Sequence, residues 1–395
     1  MHLAKESSMA VLNVPRPACM ADEEIAIFAD SVRRFLADQA PPQTIQRFRD
    51  AGIVPRSFWR AAAGTGLLGL STSTQYGGMG GDFRHEVVLM EEIGRIGFEG
   101  WDVTLQNAIV APYIETYGSE EQKRHWLPRL ASGDSIGAIA MTEPGAGSDL
   151  QGISTTAKKS GNQYIVKGTK TFITNGQNAD LVLLVAKTDS FAGSRGISLL
   201  LVDTNDAEGF ERGRSLDKMG RPSSDTSELF FNDVRIPTAN LLGPVEGQGF
   251  AQLMESLPQE RLILAVQAMA SIEYVLELTL DYVKERRAFG KAIIDFQNTQ
   301  FKLAEMKTEA TIAKVFVDHC VGEHLERRLD SATASMAKYW VSDLLGKIVD
   351  QCLQMFGGYG FMNEYPIAQA YKDARITRIY GGTNEIMKLL IARTL

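Results

Sequence analysis

The sequence predicts an α+β protein built as three consecutive segments: helical, then antiparallel β, then helical. Two observations carry this. Apolar residues recur at spacings of three and four toward both ends of the chain. Between them, short β-rich runs follow one another too closely for crossover helices. The size is compatible: 395 residues, 44% hydrophobic and 23% charged, make a globular chain of two or three domains.

The first helical segment covers 1–133. Ile25, Phe28, Val32 and Phe35 lie on one helix face, a Gly-rich break follows at 76–81, and Leu105, Ile109 and Tyr113 resume the pattern. The β segment covers 134–243, with strands expected at 136–141, 164–166, 181–185, 197–202 and 229–231, bounded by Gly, Asn, Asp and Ser. The last segment covers 244–395 and carries three stripes. They are Met269, Ile272, Leu276, Leu280 and Val283; then Leu303, Met306, Ala310, Ala313, Val317 and Cys320; then Ala337, Val341, Leu344, Ile348, Cys352 and Met355. Such stripes suit an antiparallel bundle.

Charge and composition exclude several function classes. Lys plus Arg is 41 against 48 Asp plus Glu, a net charge of −7. Duplex binding draws its affinity from a basic excess, so nucleic acid is not the expected ligand. The longest apolar run, 181–186, is far short of the ~20 residues of a bilayer span. Three cysteines without CxxC spacing fit a reducing compartment, and five scattered histidines offer no zinc pattern. The first residues, with Lys5 and Arg16, show no targeting peptide.

Four clusters stand out. Glu143-Pro144-Gly145-Ala146-Gly147-Ser148-Asp149 follows a strand; it is either a plain turn or a nest of backbone N–H groups open to phosphate or flavin oxygens. Lys170-Thr171-Phe172-Ile173-Thr174-Asn175-Gly176 reads as a strand ending in an Asn-Gly turn. Glu285-Arg286-Arg287-Ala288-Phe289-Gly290-Lys291 reads as a basic helix end. Gln354-Met355-Phe356-Gly357-Gly358 reads as a helix stopped by glycine.

Taken in this order, the clusters resemble the acyl-CoA dehydrogenase family. The resemblance runs from Asp22 to Leu395 and is most specific at Ala140-Met141-Thr142-Glu143-Pro144-Gly145-Ala146-Gly147-Ser148-Asp149. It implies an N-terminal helical domain, a middle antiparallel β domain and a C-terminal four-helix bundle. It also implies FAD and an acyl-CoA thioester. Carried over by position, Met141, Thr142, Phe172 and Thr174 contact the flavin, with Phe172 as an aromatic wall where Trp is usual. Arg287, Phe289 and Gln297, with Gln354, Gly357 and Gly358, reach the FAD of a neighbouring subunit. Thr383 and Glu385 are further cofactor contacts, and Ser148 contacts the CoA arm.

The chemistry requires a carboxylate over the acidic Cα of the thioester. Many relatives place a Glu just before the Gly-Thr pair near the C-terminus, where this chain reads Tyr380-Gly381-Gly382-Thr383. Glycine cannot accept a proton. The segment Leu257-Pro258-Gln259-Glu260-Arg261-Leu262 resembles the long-chain and isovaleryl branches, which carry the base here. Glu260 is thus the expected base, Arg261 a substrate- or base-positioning residue, and Tyr380 and Gly381 line the substrate. The competing reading makes Glu260 half of an ordinary helix ion pair after a break at Pro258.

The motifs look closer to the long-chain branch. The expected reaction is dehydrogenation of a medium- or long-chain, straight or branched acyl-CoA to the trans-2-enoyl-CoA. Electrons then pass to an electron-transferring flavoprotein. The alternatives are an isovaleryl-like short-chain enzyme and an oxygen-using acyl-CoA oxidase on the same fold. The cross-subunit segments imply a homotetramer. The expected compartment is a bacterial cytoplasm, with the mitochondrial matrix as the other candidate.

Overall fold

The apolar stripes form helices in the structure, a computed structural model that describes residues 11–395; Lys5 lies outside the described residues. Helices α1 (Glu23–Gln39), α2 (Pro42–Ala51), α3 (Arg56–Gly64) and α4 (Phe83–Arg95) come first. Ile25, Val32 and Phe35 are buried as the spacing requires. A π-helical turn, Leu105–Val110, leads into α5 (Ala111–Tyr117), and α6 (Glu120–Ala131) follows. Ser119 starts α6 with a capping box: its hydroxyl accepts from the Gln122 N–H while Gln122 returns a bond to the Ser119 N–H.

Seven strands make one sheet: β1 (Gly137–Ala140), β2 (Thr156–Ser160), β3 (Gln163–Thr174), β4 (Leu181–Lys187), β5 (Ile197–Asp203), β6 (Phe210–Ser215) and β7 (Thr226–Pro237). Their order is β1-β4-β2-β3-β7-β6, with β5 paired to the central β4. The expectation of purely antiparallel pairing is corrected around β4, where β1 runs parallel to it from Gly137/Leu181 to Ala140/Leu184 and β2 meets it in parallel at Thr156/Lys187. The excursion through β2 and β3 lies between β1 and β4, and it is long enough to return the chain in the same direction. Strand β4 is buried on both faces. Leu181, Leu183 and Val185 join Trp126, Leu127 and Leu130 of α6, whereas Val182, Leu184 and Ala186 join Val166, Leu229 and Phe231. This two-sided burial explains an unbroken apolar run in place of alternation.

Beyond the sheet lies α7 (Gly249–Glu285), then a short hairpin of β8 (Arg287–Ala288) and β9 (Lys291–Ala292). The helical remainder is α8 (Gln297–Leu325), α9 (Ser331–Met355), α10 (Pro366–Ala374) and α11 (Asn384–Ala392). The expected break at Pro258 does not occur, and α7 runs through it. Helix α7 is long and apolar enough to cross a bilayer, but 72% of its most apolar window is buried inside the protein, as in a core helix.

The chain forms two compact units. One contains Ile27–Leu89 and Glu99–Ile263, and so the whole seven-stranded sheet. The other contains, among the described residues, 11–26, Met90–Phe98 and Leu264–Leu395.

Candidate active site

In the sheet-containing unit, the segment after β1 is held from beneath by a buried ion pair. Glu143 and Lys170 are 4% and 0% exposed, and Lys170 Nζ lies 2.8 Å from Glu143 Oε1. The same ammonium donates to the Met141 carbonyl at 2.9 Å. Ser154 donates to Glu143 Oε2 through its N–H and its hydroxyl, and the Thr155 N–H donates to Oε1. Burial opposes ionisation, but the Lys170 charge and these donors win and hold Glu143 at about 2. Both residues stand inside the sequence clusters, yet their pairing was not expected. Their linear positions lie too far apart for any local pattern to join them.

This pair sets the neighbouring backbone. The Thr171 N–H donates to the Thr142 carbonyl at 2.9 Å, tying β3 to the strand-following loop. A register shift between Lys170 and Ile173 makes a bulge in β3. Phe172 sits in that bulge at φ 59° and is 68% exposed. Bulges re-aim side chains, and a left-handed aromatic residue is uncommon enough to mark a site. Thr174 ends β3, and the turn after it is gripped by Asp225, whose Oδ2 accepts from the Gln177 N–H at 2.7 Å. Burial raises Asp225 to about 6.

Met141 and Thr142, which follow β1, are therefore brought beside the end of β3 that carries Phe172 and Thr174. Their chemistry fits a flavin: an uncovered aromatic face, and two threonine hydroxyls that have no protein partner among the described residues. The turn at 143–146 closes through reciprocal bonds between Glu143 and Ala146, leaving Ser148 exposed. A Cβ added at Gly145 or Gly147 would meet nothing within 4 Å, so the turn borders open space.

Glu260 lies on α7 in the same unit and is 5% exposed. Its partner is a phenol, not the cation of a helix ion pair: Tyr113 of α5 donates to Glu260 Oε1 at 2.8 Å. Burial raises the carboxyl to about 7, against the Tyr113 hydrogen bond and the neighbouring Arg261 charge, which lower it. Arg261 is itself buried at 4% exposure. Gln259 Nε2 donates to the Ala108 carbonyl at 2.7 Å, using the π-helical turn as an anchor for α7. Tyr113 was legible in the sequence only as a member of an apolar stripe.

The remaining candidates lie in the other unit. Gly381 adopts φ +61° in a turn held by Lys338, which is 1% exposed and donates to the Gly382 carbonyl at 2.7 Å and to Asn384 Oδ1 at 3.0 Å. Tyr380 donates to Gln267 Oε1 at 3.1 Å. Thr383 caps α11, its hydroxyl accepting from the Ile386 N–H, while Glu385 is exposed in the first turn. The expected basic helix end is instead a hairpin after Glu285, with Phe289 at its tip, at φ 50° and 94% exposed. Arg287 donates to the Gly290 carbonyl, and Gln297 is exposed at the start of α8. Helix α9 does end in a left-handed glycine, Gly357 at φ +59°. The ring of Phe356 stacks on Tyr282 at 4.0 Å, and Arg286 lies over Tyr359. These contacts bring exposed Gln354, Gly357 and Gly358 beside the end of α7.

Comparison with known proteins identifies the family and the fold. Family models match over three stretches: acyl-CoA dehydrogenase N-terminal domain at 22–134, middle domain at 138–234 and C-terminal domain at 247–395. The chain is 50% identical over 369 residues to the mitochondrial long-chain specific acyl-CoA dehydrogenase of Sus scrofa, covering 93% of this chain and 85% of that one. An acyl-CoA dehydrogenase structure from Geobacillus kaustophilus superposes with a TM-score of 0.93 at 47% identity, covering 96% of this chain and 99% of that one. A glutaryl-CoA dehydrogenase from Mycobacterium smegmatis, solved in complex with FADH2, gives 0.89 at 29% identity, with 98% of each chain covered. The chain belongs to the acyl-CoA dehydrogenase family of FAD-dependent oxidoreductases.

Proposed function

We propose that this protein removes the α-proton and β-hydride of a medium- or long-chain acyl-CoA, giving the trans-2-enoyl-CoA, with Glu260 as the base. The observation that carries the reading is Glu260 itself. It is a buried carboxyl raised to about 7, in a chain whose residue 381 is glycine. A base poised near neutrality combines a useful ionised fraction with real proton affinity. Its ionised form takes the α-proton, and its surroundings keep bulk water from competing.

FAD, when bound, supplies the acceptor for the departing hydride. On the protein side, Met141, Thr142, Phe172 and Thr174 hold it, fixed from below by Lys170 and Glu143. Arg287, Phe289, Gln297, Gln354, Gly357 and Gly358 serve the cofactor of a second copy in a homotetramer, with Thr383 and Glu385 as further contacts. Ser148, Arg261, Tyr380 and Gly381 serve the substrate. An electron-transferring flavoprotein takes the electrons onward. The preference for longer chains is supported by 50% identity to a long-chain specific enzyme.

The test is Glu260→Gln, followed by anaerobic flavin reduction with octanoyl- and palmitoyl-CoA. The amide keeps the shape but accepts no proton. The expected result is full FAD content, retained acyl-CoA binding, and a reduction rate lower by ~10²–10⁴-fold. A variant that keeps more than a tenth of the wild-type rate moves the base elsewhere. The wild-type rate should rise with pH through a midpoint near 7, as the carboxyl ionises.

A further inference from the structure

The stretch containing the π-helical turn and α5 is joined to α7 by three polar contacts. Gln259 donates to the Ala108 carbonyl at 2.7 Å, Tyr113 to Glu260 Oε1 at 2.8 Å, and Tyr117 to Glu255 Oε2 at 2.8 Å. The outer two fix the position of one helix on the other, and the middle one reaches the carboxyl proposed as the base. Tyr113 is 1% exposed, and its neighbours Val110 and Ile114 are fully buried, so the phenol has no room to swing away.

A carboxylate takes a proton through one oxygen. In Glu260 the two oxygens are not equivalent: Oε1 accepts from Tyr113, and Oε2 has no hydrogen bond among the described residues. We infer that Tyr113 is a positioning residue of the reaction, tethering Oε1 so that Oε2 alone is presented to the substrate α-proton. The inference rests on Glu260 being the base.

Two effects follow. The tether removes rotational freedom from the Glu260 side chain, which keeps the accepting oxygen on one line of approach. It also favours the ionised carboxylate, since a donor aimed at the charged form stabilises it. The groups acting on Glu260 are Tyr113 from α5 and Arg261 from α7, both opposing the effect of burial. Tyr113 in turn faces Ser256 of α7 and Tyr117 of α5. Burial, then the charge and hydrogen bond of Glu260, raise the phenol well above its ordinary value, so it remains a donor throughout the working range.

The experiment uses the FAD-loaded enzyme and anaerobic stopped-flow reduction by octanoyl-CoA and palmitoyl-CoA between pH 5.5 and 9. Tyr113→Phe should move the ascending limb of the rate profile upward by roughly one pH unit. The plateau should fall by about tenfold as the carboxylate loses its alignment. A 3-fluorotyrosine placed at 113 is a stronger donor of nearly the same shape, and should move the limb downward while keeping the plateau. Opposite shifts from two small ring changes are not expected of a residue that only fills space. The inference is overturned if both variants hold FAD and reproduce the wild-type limb and plateau. If Tyr113→Phe loses its flavin, the fluorinated enzyme decides alone, and an unmoved limb overturns the inference. Glu260→Gln is run beside them: if it stays active, the assignment of the base has failed. If it is inactive and the Tyr113 variants are silent, only the tether has failed.

Discussion

A carboxyl that ionises near neutrality inside the protein is a burden on the fold, and at Glu260 that burden has a definite pH window. Its folded value is about 7 against an ordinary 4.5, so the folded state prefers the protonated form. Below about pH 4.5 both states are protonated and nothing is lost. Between that value and about 7 the unfolded chain gives up its proton first, so stability falls as pH rises. Glu260→Gln has no such proton to lose. It should match the wild type near pH 4.5 and exceed it at pH 8 by roughly 3 kcal/mol. Denaturation midpoints of the two proteins at both pH values check this, and a pH-independent difference would count against it. Glu260 is singled out in the sequence only through the family resemblance, which sets a Glu at 260 against a Gly at 381. Tyr113 was not readable in this role. A tyrosine in a helix stripe packs a core by default, and nothing linear relates it to Glu260, 147 residues away.

At the scale of elements, helix spacing was a dependable guide because one buried face must recur every three or four residues. The strands divide by burial. β4 and β5, buried almost throughout, were legible; β2, reading TAKKS, and β6, reading FERGRS, were not. They are largely solvent-facing, so they show no apolar run. The supposed break at Pro258 failed for another reason. Proline removes one helix hydrogen bond, and in a 37-residue helix packed along its length the other contacts offset that loss. On α7, Glu260, Leu264 and Gln267 follow one another at spacings of four and three, on a single face. Leu264 bears on any attempt to move the base. A Cβ built at Gly381 falls well inside contact distance of Leu264 Cδ1, and φ +61° there resists any L side chain. Adding Gly381→Glu to Glu260→Gln should therefore recover little flavin reduction. Adding Leu264→Ala as well should recover several-fold more, with octanoyl-CoA and palmitoyl-CoA both assayed. Equal rates for the two combinations would show that Leu264 is not the obstacle.

At the scale of the whole molecule, the segments at 286–289 and 354–358 are gathered at one end of the helical unit yet face outward. Phe289 and Phe361 are 94% and 83% exposed. Large exposed aromatics beside an arginine and a glycine turn are what a second copy would cover. Under the proposed assembly, Arg287→Ala should weaken FAD retention, and the loss should deepen on dilution as copies separate. Flavin fluorescence read against sedimentation would follow both at once. An active, flavin-replete monomer would contradict the assembly. This level was the least legible from spacing. Periodicity reports what one chain buries within itself, whereas under the proposed assembly the roles of Arg287 and Gln354 depend on a second copy.

The turn at Gly381 also constrains redesign. Its backbone lies at φ +61°, and Leu264 occupies the space a side chain would enter. A carboxylate introduced there by one substitution would meet the strained backbone and the Leu264 side chain at once. Moving a carboxylate to this turn is therefore a problem of two neighbours rather than of one residue: the backbone and Leu264 must both be redesigned before position 381 can hold a side chain without strain.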